Sequence, residues 1–205
     1  MGTNQDYKNK ALESLRGHWG SAVITTLIVC LIGYIPYYCL SFAIGTDNPL
    51  SLTSFLWFIV ITPIFWSYTV MFLGLVRTGD EVKASGLLEG FSDFNRIFMT
   101  KLLQMIYVLL WSLLFIIPGI IKEFSYALTD FILKDNPELG YNAAIEESMR
   151  LMKGHKAKLF WLFLSFIGWA ILSTLTLGLG YLLLYPYWQT SFAHFYEDLK
   201  AQDAA

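Results

Sequence analysis

Lys122, Ser125, Tyr126, Thr129 and Asp130 fall at i, i+3, i+4, i+7 and i+8 of a largely apolar stretch, which puts five polar groups on one helical face. Phe124, Leu128, Phe131 and Ile132 lie largely away from it. Ionisable groups at membrane depth are costly and face a partner or a watery cavity, so Lys122, Tyr126 and Asp130 are candidates for binding a solute or an ion. Tyr187, Thr190, Ser191 and His194 make a similar stripe further on. Were the two stripes to face each other, they would line a cavity in which Lys122 or His194 meets an anionic group. A structural role fits the same residues: Lys122 and Glu123 snorkel at one interface, Asp130 is solvated at the other, and the hydroxyls bond between helices.

A second chemistry is electrostatic. Lys153, His155, Lys156 and Lys158 crowd one short junction, where each basic charge would contribute roughly 1 kcal/mol against anionic lipid headgroups. They serve equally as topology determinants. No Ser/His/Asp set, HExxH helix, Walker loop or convincing carboxylate pair occurs, so no catalytic residue is assigned and the chain reads as a non-enzyme. His18 and His155 have no second ligand nearby. Cys30 and Cys39 would stand roughly 13 Å apart on one helix, too far for an intrahelical disulfide. No metal and no cofactor is expected.

The elements that position these groups are membrane segments. Hydrophobic residues make up 56% of the 205 and aromatic residues 17%, with a mean hydropathy of +0.51, more than a soluble domain of this size carries. Residues 17–46 and 48–76 lack any Asp, Glu, Lys or Arg, and each run exceeds the ~20 residues that span hydrocarbon. The first is too long for a signal peptide and reads as a retained anchor. Gly45, Thr46, Asp47, Asn48 and Pro49 form the turn between them. Residues 159–196 are also uncharged and, as one helix of roughly 57 Å, must fold back. Leu177, Gly178, Leu179 and Gly180 supply the turn. Between these hairpins, residues 102–121 make one span, Pro118 and Gly119 mark a reversal, and residues 119–133 form a short fourth segment.

Six segments put thirteen of the fourteen Lys and Arg residues on one side, with Lys122 alone near the other. Positive-inside bias then makes both termini cytoplasmic in a multi-pass protein of the cell membrane. The expected fold is an all-α polytopic transmembrane bundle of about six segments in three helical hairpins, with cytoplasmic amphipathic helices at the interface. Nucleic acid is not an expected partner, because the basic residues are spread over short linkers.

Each hairpin follows an amphipathic stretch: ALESLRGHW from Ala11, GLLEGFSDFNR from Gly86 and AAIEESMRLMKGHK from Ala143. At an offset of fifty-eight residues, Trp66, Ser67 and Tyr68 meet Phe124, Ser125 and Tyr126, while Leu87 meets Ile145 and Phe91 meets Met149. These matches predict a single domain, 1–205, containing repeats at 5–76, 80–133 and 137–199. Interfacial helices in any membrane protein also produce some such coincidences.

The motifs IPGII from Ile117, SYAL, FILKDNP, AIEESMRLMKGHKAKLF, LSFIGW, LTLGLG and PYW followed by AHFY resemble an uncharacterised family of bacterial polytopic integral membrane proteins. That resemblance covers most of the C-terminal half, and the ALESLRGHW junction agrees with it. It implies membrane residence and carries no activity. A more distant similarity is to the membrane domain of glycerophosphodiester phosphodiesterases, whose catalytic barrel has no counterpart here. The leading functional expectation is a non-enzymatic membrane protein whose interfacial helices bind membrane lipids or a membrane or cytoplasmic protein partner. A small-solute or ion transporter lined by segments four and six is the alternative, and an intramembrane lipid-modifying enzyme is the weakest reading. Oligomeric state is not legible.

Overall fold

The computed structural model describes residues 1–45 and 52–204, all of whose regular elements are helical. Helix α1 (Asn4–Leu15) starts at a capping box, in which Thr3 accepts from the Asp6 amide and Asp6 accepts from the Thr3 amide. It is followed by α2 (Trp19–Ile44), α3 (Leu52–Thr78), a 3-10 helix (Ala84–Phe91), α4 (Phe94–Leu114), α5 (Ile116–Tyr126) and α6 (Thr129–Asp135). The chain continues through α7 (Tyr141–Leu151), α8 (Lys156–Leu164), α9 (Ile167–Leu175) and α10 (Tyr181–Asp203).

Among the described residues, four stretches are long and apolar enough to cross a membrane: Trp19–Ala43, Leu52–Thr78, Phe94–Leu114 and Lys156–Leu175. The last combines α8 and α9 across a bend at Ser165 and Phe166, where Lys8 of α1 donates to the Ser165 carbonyl at 2.6 Å and lies over the Phe166 ring. Six segments were expected. The segment at 119–133 instead falls in the short helices α5 and α6, and α10, whose C-terminal half is polar, is not among the four.

Turn chemistry explains the chain reversals. Helix α2 ends on Gly45 in the left-handed conformation; Thr46, Asp47, Asn48 and Pro49 of that expected turn lie outside the described residues. The second reversal falls at Phe115, extended at φ −159°, and not at Pro118–Gly119. Pro118 and Gly119 sit in the first turn of α5, where a missing proline N–H costs nothing because no intrahelical acceptor exists for it. Gly119 packs against Ser112 and Gly180 against Ser173 so closely that neither site has room for a Cβ.

The centre of the bundle is α3, with 61% of its apolar window buried against 11–22% for the other three. Around it, Leu73, Phe131 and Phe192 are buried together, with the Phe131 ring 5.2 Å from Phe192 and 5.1 Å from Tyr196. The amphipathic segments pack on helices distant from them in sequence or on neighbouring ones: α1 along α10, the 3-10 helix along α3, and α7 along α5 and α6 as well as α4. The buried face of α7 is Ala144, Ile145 and Ser148, so its apolar side enters the protein.

Gly90 shows how tight these contacts are. Its N–H donates to Ser67 Oγ at 2.7 Å, and a Cβ there would strike the Pro63 carbonyl. Gly90→Ala is therefore expected to lower stability by about 1–3 kcal/mol, through overpacking against backbone that has little freedom to yield. Thermal unfolding of the variant in detergent or nanodiscs reads this directly, and an unchanged midpoint would mean the 3-10 helix is not seated on α3 as described.

Candidate functional site

The polar groups that meet do so because α4 and the α5–α6 rod run side by side in opposite directions. At the start of α4, the Arg96 guanidinium pairs with Asp93 and donates to the carbonyls of Leu133, Asn136 and Leu139 at 3.0–3.3 Å. The Leu133 carbonyl lies in the last turn of α6, where the helix offers it no amide partner, and the guanidinium satisfies it. Further along, Lys101 lies 2.6 Å from Asp130, and the Gln104 amide donates to the Tyr126 carbonyl and the Thr129 hydroxyl, both at 3.0 Å. The tip contact is Ser112 on Gly119.

The rod is broken at Ala127 and Leu128, and α7 fills the break. Ser148 Oγ accepts from the Leu128 N–H at 3.2 Å and donates to the Ser125 carbonyl at 2.9 Å, all in a buried setting. One hydroxyl thus stands in for the interrupted helical ladder, which would otherwise leave a buried donor and acceptor unpaired.

Between α4, the broken rod, α8 and α10 lies a cleft of about 880 Å³. Phe58 of α3, Phe124, Leu159, Phe163, Trp188 and Phe192 supply apolar wall, and exposed Met105, Leu109 and Phe163 edge it. The polar lining is Lys101, Gln104, Ser112, Glu123, Tyr126 and Asp130. Asp130 Oδ1 is buried and is held by the charge of Lys101 rather than by a directed hydrogen bond. A mostly apolar concavity with a few convergent polar groups is the ordinary form of a small-molecule site.

The residues singled out from sequence separate into several places. Tyr126 and Asp130 line the cleft. Lys122 lies outside it, with its ammonium 4.7 Å from the centre of the Trp111 ring. Tyr187 packs edge-on against Phe166 at 5.0 Å and lines a separate apolar groove of about 430 Å³ with Trp19 and Trp169. His194 shares a 2.9 Å hydrogen bond with Ser14 of α1, also away from the cleft. From α10, the cleft receives Trp188 and Phe192 instead. Lys153 is exposed, and His155, Lys156 and Lys158 are half-buried at the α7–α8 junction, with Lys158 above the Tyr7 ring.

Lys101 and Gln104 are the site residues that the local pattern missed. Lys101 reads as a linker cation because it borders an apolar run, yet α4 begins at Phe94 and carries it into the cleft wall. A signal existed: Lys101, Gln104, Val108 and Ser112 follow a 3-4-4 spacing and share one face of α4. No group of three or more metal-ligating side chains occurs among the described residues.

Among the described residues, these features define a helical arrangement with four stretches long and apolar enough to cross a membrane and a polar-tipped cleft. The chain belongs to the family described as protein of unknown function (DUF975), which matches residues 1–126 and again 113–203. No curated protein and no solved structure matches it.

Proposed function

We propose that the chain is a six-segment integral membrane protein that binds a lipid-like amphiphile in the α4–α10 cleft without altering it chemically. The observation that carries this reading is the cleft itself: an apolar, partly aromatic wall beside a short polar strip that includes Lys101, Asp130 and Gln104. An amphiphile has the same division of character.

The layout in this reading is three helix-plus-hairpin units, 5–76, 80–133 and 137–199, with both termini cytoplasmic in the cell membrane. Several pairs support the repetition. Gly17 and Gly154 have φ of 89° and 84°, and the following His18 and His155 share φ of −111°. The Ser67–Gly90 contact recurs fifty-eight residues later as Ser125–Ser148. Ser112 on Gly119 recurs sixty-one residues later as Ser173 on Gly180. At those same two offsets fall Leu73, Phe131 and Phe192 of the core. Each amphipathic segment packs on the return helix of another unit, and the three contacts close a ring. On the proposed cytoplasmic side, Lys153, His155, Lys156 and Lys158 would meet anionic headgroups.

Binding is favoured over conduction because Lys122, Tyr187 and His194 lie outside the cleft that holds Tyr126 and Asp130. Val108→Trp, which places an indole in the cleft from the α4 side, is expected to cut the lipid retained by the purified protein at least severalfold in native mass spectrometry. Retention equal to wild type, with folding preserved, would sink the reading.

A further inference from the structure

We infer that the cleft selects an amphipathic cation, with its ammonium or related positive centre at Glu123 and its apolar body against the aromatic wall. This inference rests on the reading that the cleft holds an amphiphile, and it names the class.

Three formal charges line the cleft: Lys101, Asp130 and Glu123. The first two are in contact at 2.6 Å and largely cancel. Glu123 has no ion pair or hydrogen bond among the described residues. Its chain neighbour Lys122 is turned to the Trp111 ring, so it does not neutralise the carboxylate. The cleft therefore carries one unmatched negative charge, on an exposed residue whose carboxylate is open to a bound cation beside the aromatic wall.

The wall favours the same sign. Phe58, Phe124, Tyr126, Phe163 and Trp188 present aromatic surface, whose ring faces attract cations and give nothing comparable to anions. A volume of about 880 Å³ lies within the range of pockets that hold drug-sized ligands, so a body of several rings or a folded alkyl chain fits. A neutral amphiphile would fill the same wall and leave Glu123 unmatched. An anionic one would oppose it.

The experiment compares two probes of nearly equal shape and opposite charge, tetraphenylphosphonium and tetraphenylborate, on the full chain in phosphatidylcholine nanodiscs. Equilibrium dialysis gives both affinities after uptake by empty nanodiscs is subtracted. Wild type is expected to bind the phosphonium at least tenfold more tightly than the borate. Glu123→Gln should weaken the phosphonium about tenfold and leave the borate nearly unchanged, while Glu123→Asp should keep most of the preference. Equal binding of the two probes by wild type, or an intact preference in Glu123→Gln, overturns the cation assignment while Val108→Trp still blocks both probes. If Val108→Trp blocks neither, the amphiphile reading fails with it. Thermal unfolding of each variant separates loss of binding from loss of fold, and Leu109→Trp at the cleft edge serves in place of Val108→Trp should the latter not fold.

Discussion

Arg77→Met is expected to destabilise the protein by about 3 kcal/mol, because it removes the main counter-charge of a nearly buried carboxylate. Asp135 has a side chain only 5% exposed, at the junction of three helix ends. The Arg77 guanidinium grips both of its oxygens at 2.6 and 2.8 Å and also donates to Glu197. Lys200 at 2.5 Å and the Tyr196 hydroxyl at 2.8 Å complete the set. The cluster ties α3, α6 and α10 together where their apolar packing ends. Replacing both charges, as in Arg77→Met with Asp135→Leu, should recover much of the loss, since the ions left without those partners, Glu197 and Lys200, are 33% and 50% exposed and reach water.

The same carboxylate predicts a pH dependence. Burial acts to raise the Asp135 pKa, but hydrogen bonds from Arg77, Lys200 and Tyr196 outweigh it and hold the group at about 2. An unfolded chain releases the proton near 4. Because the folded value is the lower one, the contribution is fully present above pH ~4 and is lost as pH falls through about 2, a change on the order of 2 kcal/mol. Unfolding midpoints of wild type and Asp135→Asn should therefore converge between pH 4 and 2. A gap that stays constant across that window would assign the stabilisation to packing instead of charge.

Apolar run length made the helices long and apolar enough to cross a membrane legible, because it follows from composition along the chain. The amphipathic character of the stretch from Ala143 was legible too, and the structure buries Ala144, Ile145 and Ser148 along α7. What escaped local reading depends on partners far away in sequence. A continuous helix through Lys122 and Asp130 would align their side chains, but Ser148 supports a break at Ala127 and Leu128 that no local propensity announces. Pro118 and Gly119 look like a turn on composition, whereas a proline in a helix's first turn and a glycine facing Ser112 serve helix entry and close packing. The Arg77–Asp135 pair spans fifty-eight residues, and its two halves look like ordinary linker charges when each is read alone.

Lys101→Met carries the second large expected effect, a loss of about 3 kcal/mol, and its logic differs from that of Arg77. Asp130 is 14% exposed and has Lys101 as its sole salt-bridge partner among the described residues, whereas Asp135 retains Lys200 after Arg77 is removed. The single variant thus leaves a carboxylate in the cleft wall with no cation at all. Asp130→Asn alone should cost less, because the longer Lys101 side chain, 29% exposed, reaches water more readily than the aspartate it leaves. Combining the two should return stability towards wild type, giving a coupling energy of about 1–3 kcal/mol in a double-mutant cycle. Unfolding in nanodiscs measures all three variants on one scale. Additive losses would show that the two residues do not act as a pair and that α4 is held to the rod by Arg96, Gln104 and the Ser112–Gly119 contact alone. A strong coupling would instead leave Glu123 as the charge free to meet a ligand, since Lys101 and Asp130 would already be committed to each other.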